Sequence, residues 1–508
     1  MNKQSRVKGI AISYLSAAVR SVSKLVMTPL YLKILGMDDY GFYQYVFSVA
    51  CYAIILDFGI SSVVNMFSIR YREKGDQEGV ENVMFYALMF CIGSALLIAL
   101  GCAVITIWAP EVFGDAVAGR IPLTRQLLVL IMGELILLMF QHYFEGVILA
   151  AEKYVTHRIV ALIQILLRCI LTLLMLFSSV GVLSIALGDL FGVGLCLGFE
   201  IWYCKARLGL VVRFHYRDPE LFRAIAKLSL ALCLQSVVAY LNSSIDKYVL
   251  GRYIDTVVVT VYTVAVELFA FFNEIPTTIQ RLYLPQAVKL VAAGADGEEL
   301  TDFVIRPGRY QFLLVAGVLG GFILFGQEFI LMWTGKSTLD AWKIALVLMV
   351  PAVLPLIQNV CLSLLTAMNK RMFRSYVLCG IAVANLFLTI FLVKRIGLMG
   401  APVGTCVTQI LGETFIMNWY YKTRLGINVK RLFASIFRGI LPCAAVTTGV
   451  CFLLRFLPVS GLIWFLVKCA VFCIIYAALL WFWGINTEEK VRIGAVFGKI
   501  AKKFSLSH

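Results

Sequence analysis

The 508-residue chain is 61% hydrophobic and only 15% charged, with a mean hydropathy of +0.89. A soluble domain needs a polar surface, so this composition excludes the soluble classes and indicates an all-α polytopic membrane protein. The net charge of +16 does not indicate nucleic-acid binding, because the basic residues lie in short clusters between apolar segments, as orientation signals do in membrane proteins.

Apolar windows of about 20 residues predict about fourteen membrane-spanning helices. In chain order they cover residues 9–32, 41–68, 83–108, 123–150, 157–178, 181–204, 222–249, 256–282, 309–333, 342–367, 373–393, 397–421, 433–456 and 461–484. Most of the 45 Lys and Arg residues fall in the even-numbered connections when the N-terminus is inside. The positive-inside rule therefore predicts that both termini are cytoplasmic.

The first span carries two cations near its middle, Arg20 and Lys24. At about 100° per residue, a line along one helix face includes both of them together with Ser13, Ser16, Thr28 and Tyr31. A charge at bilayer depth costs at least roughly 2.5 kcal/mol, so it faces protein or a water-filled cavity. Two interpretations stay open: a neighbouring helix neutralises the two cations, or they form a positively charged wall of an internal cavity.

The chain repeats itself at an offset of about 216 residues. Residues 181–210 and 397–427 share a leading Gly, an internal Gly and a closing Lys-x-Arg-Leu-Gly motif, and residues 150–153 align with 367–370. The repeat predicts two parallel six-helix bundles, residues 1–221 and 222–430. Residues 431–486 then hold helices 13 and 14, and residues 487–508 form a cytosolic amphipathic tail.

The repeat relates two acidic residues. Asp57 in the second span maps onto Glu274 in the eighth, which shares one helix face with Glu267 and Arg281. At equivalent depths in the two halves, Asp57 and Glu274 are expected to face each other across a central cleft. Asp57, Glu267 and Glu274 either bind a coupling cation, Na⁺ or H⁺, or pair with the basic residues.

The basic residues do not follow the repeat. Arg20 and Lys24 map onto an apolar stretch of the second half, so the cationic wall belongs to the first half alone. Arg168 in the fifth span is the best addition to that wall, and Arg281 is a further candidate for contact with an anionic substrate.

No pattern of catalytic or metal-binding residues is found in the sequence. The 14 cysteines are scattered singly, and the four histidines have no metal-ligand spacing (His142, His157, His215 and His508). An enzyme acting on lipid-linked glycans, such as a polymerase or a ligase, needs external loops for its catalytic groups. The external connections predicted here are short, so the sequence predicts neither an enzyme nor a bound metal or cofactor.

Three sequence runs carry a family resemblance: residues 29–41 (PLYLKILGMDDYG), 56–60 (LDFGI) and 70–75 (RYREKG). With the predicted twelve-plus-two helices, they resemble the polysaccharide-transport, or Wzx-type, flippases of the multidrug/oligosaccharidyl-lipid/polysaccharide exporter superfamily. The resemblance implies a V-shaped, cationic central cavity. It also implies transfer of undecaprenyl-diphosphate-linked oligosaccharide units from the inner to the outer leaflet.

The resemblance further implies a role in O-antigen, capsule or exopolysaccharide biosynthesis, with a polysaccharide polymerase and a chain-length regulator as partners. Related lipid II flippases build a sodium site from helices seven, eleven and twelve, where Asp246, Asn385 and Thr405 are the matching residue types here. The alternative is a cation-coupled drug or metabolite antiporter of the same superfamily, although two cations in the first helix would repel cationic drugs.

Overall fold

The computed structural model describes residues 3–178, 180–456, 461–487 and 489–490, and within these ranges it contains helices and connections but no strand. The side chains of residues 3–14, which include Ser13, and of residues 17, 231, 234–235, 238–239 and 241–243 are outside this description. The predicted all-α, multi-pass class is confirmed. The predicted amphipathic tail lies almost wholly outside the described residues, which end at 490.

The helices of the first half of the chain are α1 (Lys3–Ala50), α2 (Ile60–Glu73), α3 (Gln77–Ile107), α4 (Ala109–Phe113), α5 (Ile121–Ala150), α6 (Tyr154–Phe177), α7 (Leu183–Ala206) and α8 (Pro219–Tyr253). They are followed by α9 (Thr256–Ala292), α10 (Gly297–Trp333), α11 (Ala341–Ile357), α12 (Val360–Ala367), α13 (Arg371–Ile396), α14 (Gly400–Gln409), α15 (Met417–Arg424), α16 (Val429–Phe437), α17 (Ile440–Cys451) and α18 (Leu462–Leu479). Shorter 3₁₀ segments include Cys51–Asp57 and Gly114–Arg120, and π-helical turns occur at Ile410–Ile416 and Leu480–Gly484.

Nine helical segments of the described chain are long and apolar enough to cross a membrane, or up to eleven if each of two bent pairs is one span. Two of the nine, Ala18–Glu73 and Arg371–Arg424, contain 56 and 54 residues. At about 1.5 Å per residue, each has more than twice the length of a roughly 30 Å bilayer core. Each segment is therefore long enough for two crossings, and the total of fourteen spans stays a prediction.

The chain divides into two compact units. Unit 1 comprises Met1–Thr263 with Thr389–Ala401, and unit 2 comprises Val264–Leu388 with Pro402–His508. This division by contacts differs from the division by sequence repeat, because α8 and the start of α9 belong to unit 1. The domain boundaries deduced from the repeat stay predictions.

In unit 1 the centre is α5, which packs against α2, α3 and α7, while α6 packs against α7 and α1. Two glycines allow close approaches between these helices. A Cβ at Gly146 would lie 2.8 Å from the Ser61 carbonyl oxygen, and one at Gly188 would lie 2.1 Å from Thr172 Oγ1. Small residues at such contacts let transmembrane helices pack through their backbones. The internal glycine of the first repeat, Gly188, is therefore explained by the packing of α7 on α6.

The α1 segment is interrupted at Gly36, whose φ of 83° is easily reached only by glycine. Just beyond the break, a Cβ at Gly41 would lie 1.9 Å from the Thr256 carbonyl oxygen. The same junction is held by Arg120, which donates to Asp39 at 2.9 Å and to Asp38 at 2.6 Å. The residues around the break thus join α1 to the start of α9 and to the connection before α5.

In unit 2, α10 packs against α11, α16, α17 and α18. The buried guanidinium of Arg309 holds this arrangement: Nε donates to Glu489 Oε1 at 2.6 Å, and the terminal nitrogens donate to the carbonyls of Ser435, Arg438 and Gly484. These carbonyls lie at helix ends, where intrahelical partners are missing. One buried cation therefore satisfies several orphaned acceptors.

The last described helix of unit 2 packs against a glycine-rich face of α10. A Cβ at Gly317 would lie 2.7 Å from the Tyr476 ring, and one at Gly320 would lie 3.2 Å from the Phe472 ring. The Tyr476 hydroxyl donates to the Leu313 carbonyl at 2.8 Å. The close packing of α18 on α10 thus combines small residues with an interhelical hydrogen bond.

We expect Gly41→Ala to destabilise the protein, because the new methyl group would overlap the backbone of Thr256. Overpacking of this kind typically costs about 1–3 kcal/mol. The measurement is thermal unfolding of the purified protein in detergent. Gly93→Ala in α3 is the matched control, because a Cβ there meets nothing within 4 Å. Equal melting temperatures for the two variants would contradict the prediction.

Candidate functional site

The polar line predicted along α1 divides into two groups. Ser16, Thr28 and Tyr31 are buried, whereas Arg20 and Lys24 are exposed. Within the described part of the chain neither cation forms an ion pair or a side-chain hydrogen bond. Among the described residues, no neighbouring helix provides the partner that the first of the two interpretations requires.

Arg168 lies on α6, one residue before a contact between this helix and α1. Helix α6 packs along α1, and Cys169 contacts Ser23, which lies one residue before Lys24. The Arg168 side chain is 53% exposed, and its Nε forms an ion pair with Asp189 of α7, which is only 3% exposed. The Arg168 side chain is thus half exposed, and Asp189 partly neutralises its charge from the buried side.

Polar groups that the sequence reasoning missed surround this ion pair. Tyr43 adjoins the Asp189 carboxylate, and Glu134 of α5 lies within electrostatic reach of both Asp189 and Arg168. Glu134 Oε2 is buried and has no hydrogen-bond partner among the described residues. The sequence did contain a feature that could have identified them. Asp189 and Glu134 are isolated acids within apolar spans, and such acids usually have a functional role or a charged partner.

Asp57 is placed at the end of the 3₁₀ segment that precedes α2. Its Oδ1 lies 2.9 Å from Nδ1 of His142 in α5. Two roles were left open for Asp57, binding of a coupling cation and pairing with a basic residue. This contact provides a pairing partner, but the partner is a histidine and not one of the predicted basic residues. His142 was seen in the sequence only as a residue without metal-ligand spacing.

The acidic residues and the arginine predicted in the eighth span lie on α9, in unit 2. Glu267 is partly buried, whereas Glu274 and Arg281 are exposed. Within the described residues no ion pair joins Glu274 to Arg281. Asp57 and Glu274 belong to different units, so their expected arrangement across a cleft stays a prediction.

Two parts of the predicted sodium site have defined partners. In unit 1, Asp246 is buried and accepts hydrogen bonds from Tyr262 at 2.5 Å and from Thr389 at 3.2 Å. In unit 2, Thr405 Oγ1 donates to Asn385 Oδ1 at 3.4 Å. Tyr262 and Thr389 were not found from the sequence. The joint site stays a prediction, because its members belong to two units that are described separately.

Comparison with known proteins identifies the family. Residues 6–287 match the family described as "Polysaccharide biosynthesis protein". The chain belongs to this family. Among curated relatives of this family member, a protein named "Putative O-antigen transporter" from Shigella flexneri is 20% identical over 393 residues, which cover 76% of this chain and 90% of the relative. The "Uncharacterized membrane protein EpsK" of Bacillus subtilis is 24% identical over 453 residues, covering 85% and 86%.

Solved structures identify the fold of this polysaccharide biosynthesis protein. It is similar to the lipid II flippase MurJ in an inward closed conformation, with a TM-score of 0.72, 16% identity and coverage of 92% of this chain and 98% of that one. An inward-facing multidrug MATE transporter of the MOP superfamily gives a TM-score of 0.62, 14% identity and coverage of 81% and 95%. At these identities the likeness concerns the fold alone.

We expect Arg168→Gln to be strongly destabilising, because it leaves Asp189 buried without its cation. Leaving a buried polar group unsatisfied typically costs about 1–3 kcal/mol, and this range applies because Arg168 itself is half exposed. The double variant Arg168→Gln/Asp189→Asn removes both charges and should recover most of the loss. Thermal unfolding in detergent measures both, with Arg70→Gln, an exposed arginine, as the control. The prediction is wrong if the double variant is no more stable than Arg168→Gln alone.

Proposed function

We propose that the protein is a flippase that moves undecaprenyl-diphosphate-linked oligosaccharide units across the cytoplasmic membrane. In this proposal a substrate site is exposed alternately to the two sides of the membrane, and the product supports surface polysaccharide biosynthesis. The proposal includes cytoplasmic termini, from the distribution of Lys and Arg. A polysaccharide polymerase and a chain-length regulator are the proposed partners that receive and process the flipped unit.

The observation that carries the proposal is the pair of cations on α1. Arg20 and Lys24 lie roughly 24 and 18 Å along the helix from the break at Gly36, well within a bilayer-length segment. They are exposed, with no partner in the described part of the chain. A cation at this depth without a protein anion is stable only beside water or a bound anion.

The diphosphate of a lipid-linked sugar is an anion that fits this surface. It cannot cross hydrocarbon unaided, and its oxygens accept charge-assisted hydrogen bonds from guanidinium and ammonium groups. Arg20 and Lys24 are proposed to bind it directly, with Arg168 of the adjacent helix as a third contact. Arg281 is kept as a candidate contact from unit 2.

The MATE-like fold leaves a drug or metabolite antiporter as the alternative. Organic cations are a poor match for the α1 surface, because Arg20 and Lys24 repel like charge. The family match and the named relatives instead support a substrate from polysaccharide biosynthesis. A coupling cation remains part of the proposal, with Asp57, Glu267 and Glu274 as candidate ligands.

We expect Arg20→Gln/Lys24→Gln to reduce flipping at least about tenfold, the equivalent of losing roughly 1.4 kcal/mol of substrate stabilisation. The experiment uses complementation of a deletion strain in the native host. Surface polysaccharide should fall while lipid-linked oligosaccharide accumulates on the inner leaflet. Arg213→Gln/Arg217→Gln is the matched control: it has the same spacing and charge change, at exposed positions in the connection before α8.

Normal levels of both polysaccharide and lipid-linked intermediate in Arg20→Gln/Lys24→Gln would contradict the proposed binding surface. Loss of resistance to organic cations upon deletion, with surface polysaccharide unchanged, would instead favour the antiporter. Membrane abundance of each variant, measured by immunoblotting, separates loss of transport from loss of protein.

A further inference from the structure

Five ionisable side chains that the proposed diphosphate site does not use converge within unit 1. Two His–carboxylate pairs form the cluster: His142 Nδ1 lies 2.9 Å from Asp57 Oδ1, and His157 Nε2 lies 3.5 Å from Glu145 Oε1. Glu200 of α7 is the fifth member, with Glu145 and His142 as its electrostatic neighbours. We name these five residues the His–carboxylate cluster.

The buried carboxyl group of Glu200 points to a ligand for this cluster. Glu200 is 2% exposed, and its Oε2 atom has no hydrogen-bond partner in the described part of the chain. Gln141, which exchanges two hydrogen bonds with Gln164, also forms a side-chain hydrogen bond with Glu200, but it carries no positive charge. A buried carboxylate with one oxygen left unsatisfied is disfavoured and is stabilised by taking up a proton or a cation.

The chemistry of the cluster favours a proton over a metal ion. Among the described residues, no group of three or more His, Cys, Asp or Glu side chains is arranged to hold a metal. Imidazole beside carboxylate is instead a combination that exchanges protons near neutral pH. When such a pair takes up one proton from water, its charge changes from one negative charge to zero, and the imidazolium is held by the carboxylate.

Among the described residues, few ionisable groups face the cluster from the surrounding elements. They are Cys91 of α3, Arg158 of α6, Cys196 and Cys204 of α7, and Tyr240 of α8. Arg158 is the one permanent cation in this set, and it lies next to His157. Among these described groups, protons are therefore the main further source of positive charge for the three carboxylates.

The cluster also contacts a strained point of the backbone. Asp57 is followed by Phe58 and Gly59, which both have left-handed conformations, with φ of 50° and 62°. Such a conformation is unfavourable for phenylalanine and persists only where the surroundings enforce it. The His142–Asp57 contact joins this break to α5.

We propose that the His–carboxylate cluster is a proton-binding site, and that its proton occupancy biases the backbone break at Phe58–Gly59 during transport. The first part stands on the geometry of the cluster. The second part rests on the proposed flippase function and assigns its driving ion as H⁺ in unit 1.

The first experiment tests proton binding without any substrate. Infrared difference spectra of the full-length protein in lipid nanodiscs are recorded between about pH 8 and about pH 5.5, the range in which imidazole titrates. We expect a carbonyl band from a protonating carboxyl group that Glu200→Gln removes. His142→Gln/His157→Gln should change the pH at which this band appears. His215→Gln, which alters a pair with Glu81 outside the cluster, should match the wild-type protein.

A carboxyl band that is unchanged in both Glu200→Gln and His142→Gln/His157→Gln would overturn the proposal. Should Glu200→Gln fail to give folded protein, Glu145→Gln serves in its place, and it should alter the same band. An unaltered band in that variant would also contradict a shared proton site.

The second experiment tests coupling in proteoliposomes, with undecaprenyl diphosphate carrying one N-acetylglucosamine as the probe. We expect an imposed pH gradient to change the wild-type flipping rate at least about fivefold, a typical coupling effect. In His142→Gln/His157→Gln, the rates measured with and without the gradient should be equal. If the wild-type flipping rate does not change with the pH gradient, the proposed coupling is wrong. No flipping under any condition contradicts the proposed function, while the infrared result still decides the proton site.

Discussion

The constraint on which this structure depends is that a charge within a membrane protein must meet an opposite charge, a hydrogen-bonding group or water. In unit 1 two acids meet it within the protein: Asp189 pairs with Arg168, and Asp57 lies against His142. The buried Oε2 atoms of Glu134 and Glu200 have no hydrogen-bond partner among the described residues. On α1, the cations Arg20 and Lys24 likewise have no partner in the described part of the chain. The charge that lacks a protein partner on this helix is therefore positive.

Unit 2 uses its buried charges differently. Arg309 binds Glu489 and three backbone carbonyls, and Lys468 of α18 lies 3.1 Å from Glu328 of α10. These pairs join the C-terminal helices to α10 and have their partners within the protein, so they act as packing contacts. Arg374 and Glu413, 3.0 Å apart, similarly join α13 to the π-helical turn after α14. The difference between the units agrees with the asymmetry in the sequence repeat, where the cationic face has no counterpart in the second half.

Features that depend on local pattern could be predicted from the sequence, and features that depend on packing could not. Composition and apolar periodicity were sufficient for the all-α class, and a helical period of 3.6 residues placed Arg20 and Lys24 on one face. The partners of Arg168 and Asp57 were missed because they lie on other helices: His142 is 85 residues from Asp57. A single sequence does not show which helices touch. The number of spans was equally hard to establish, because the helices continue through breaks such as that at Gly36.

The proposed function also limits how strongly the cationic face can bind. Two unit charges about 4 Å apart attract by about 4 kcal/mol at an effective dielectric constant of 20, so three fully available cations would hold a diphosphate too tightly for release. Asp189 reduces this attraction, because it competes for Arg168 from the buried side. Arg20 and Lys24, by contrast, are exposed to a binding partner. A site with two strong contacts and one moderated contact can attract a polyanion and still release it, which a flippase requires of any site that faces both sides of the membrane in turn.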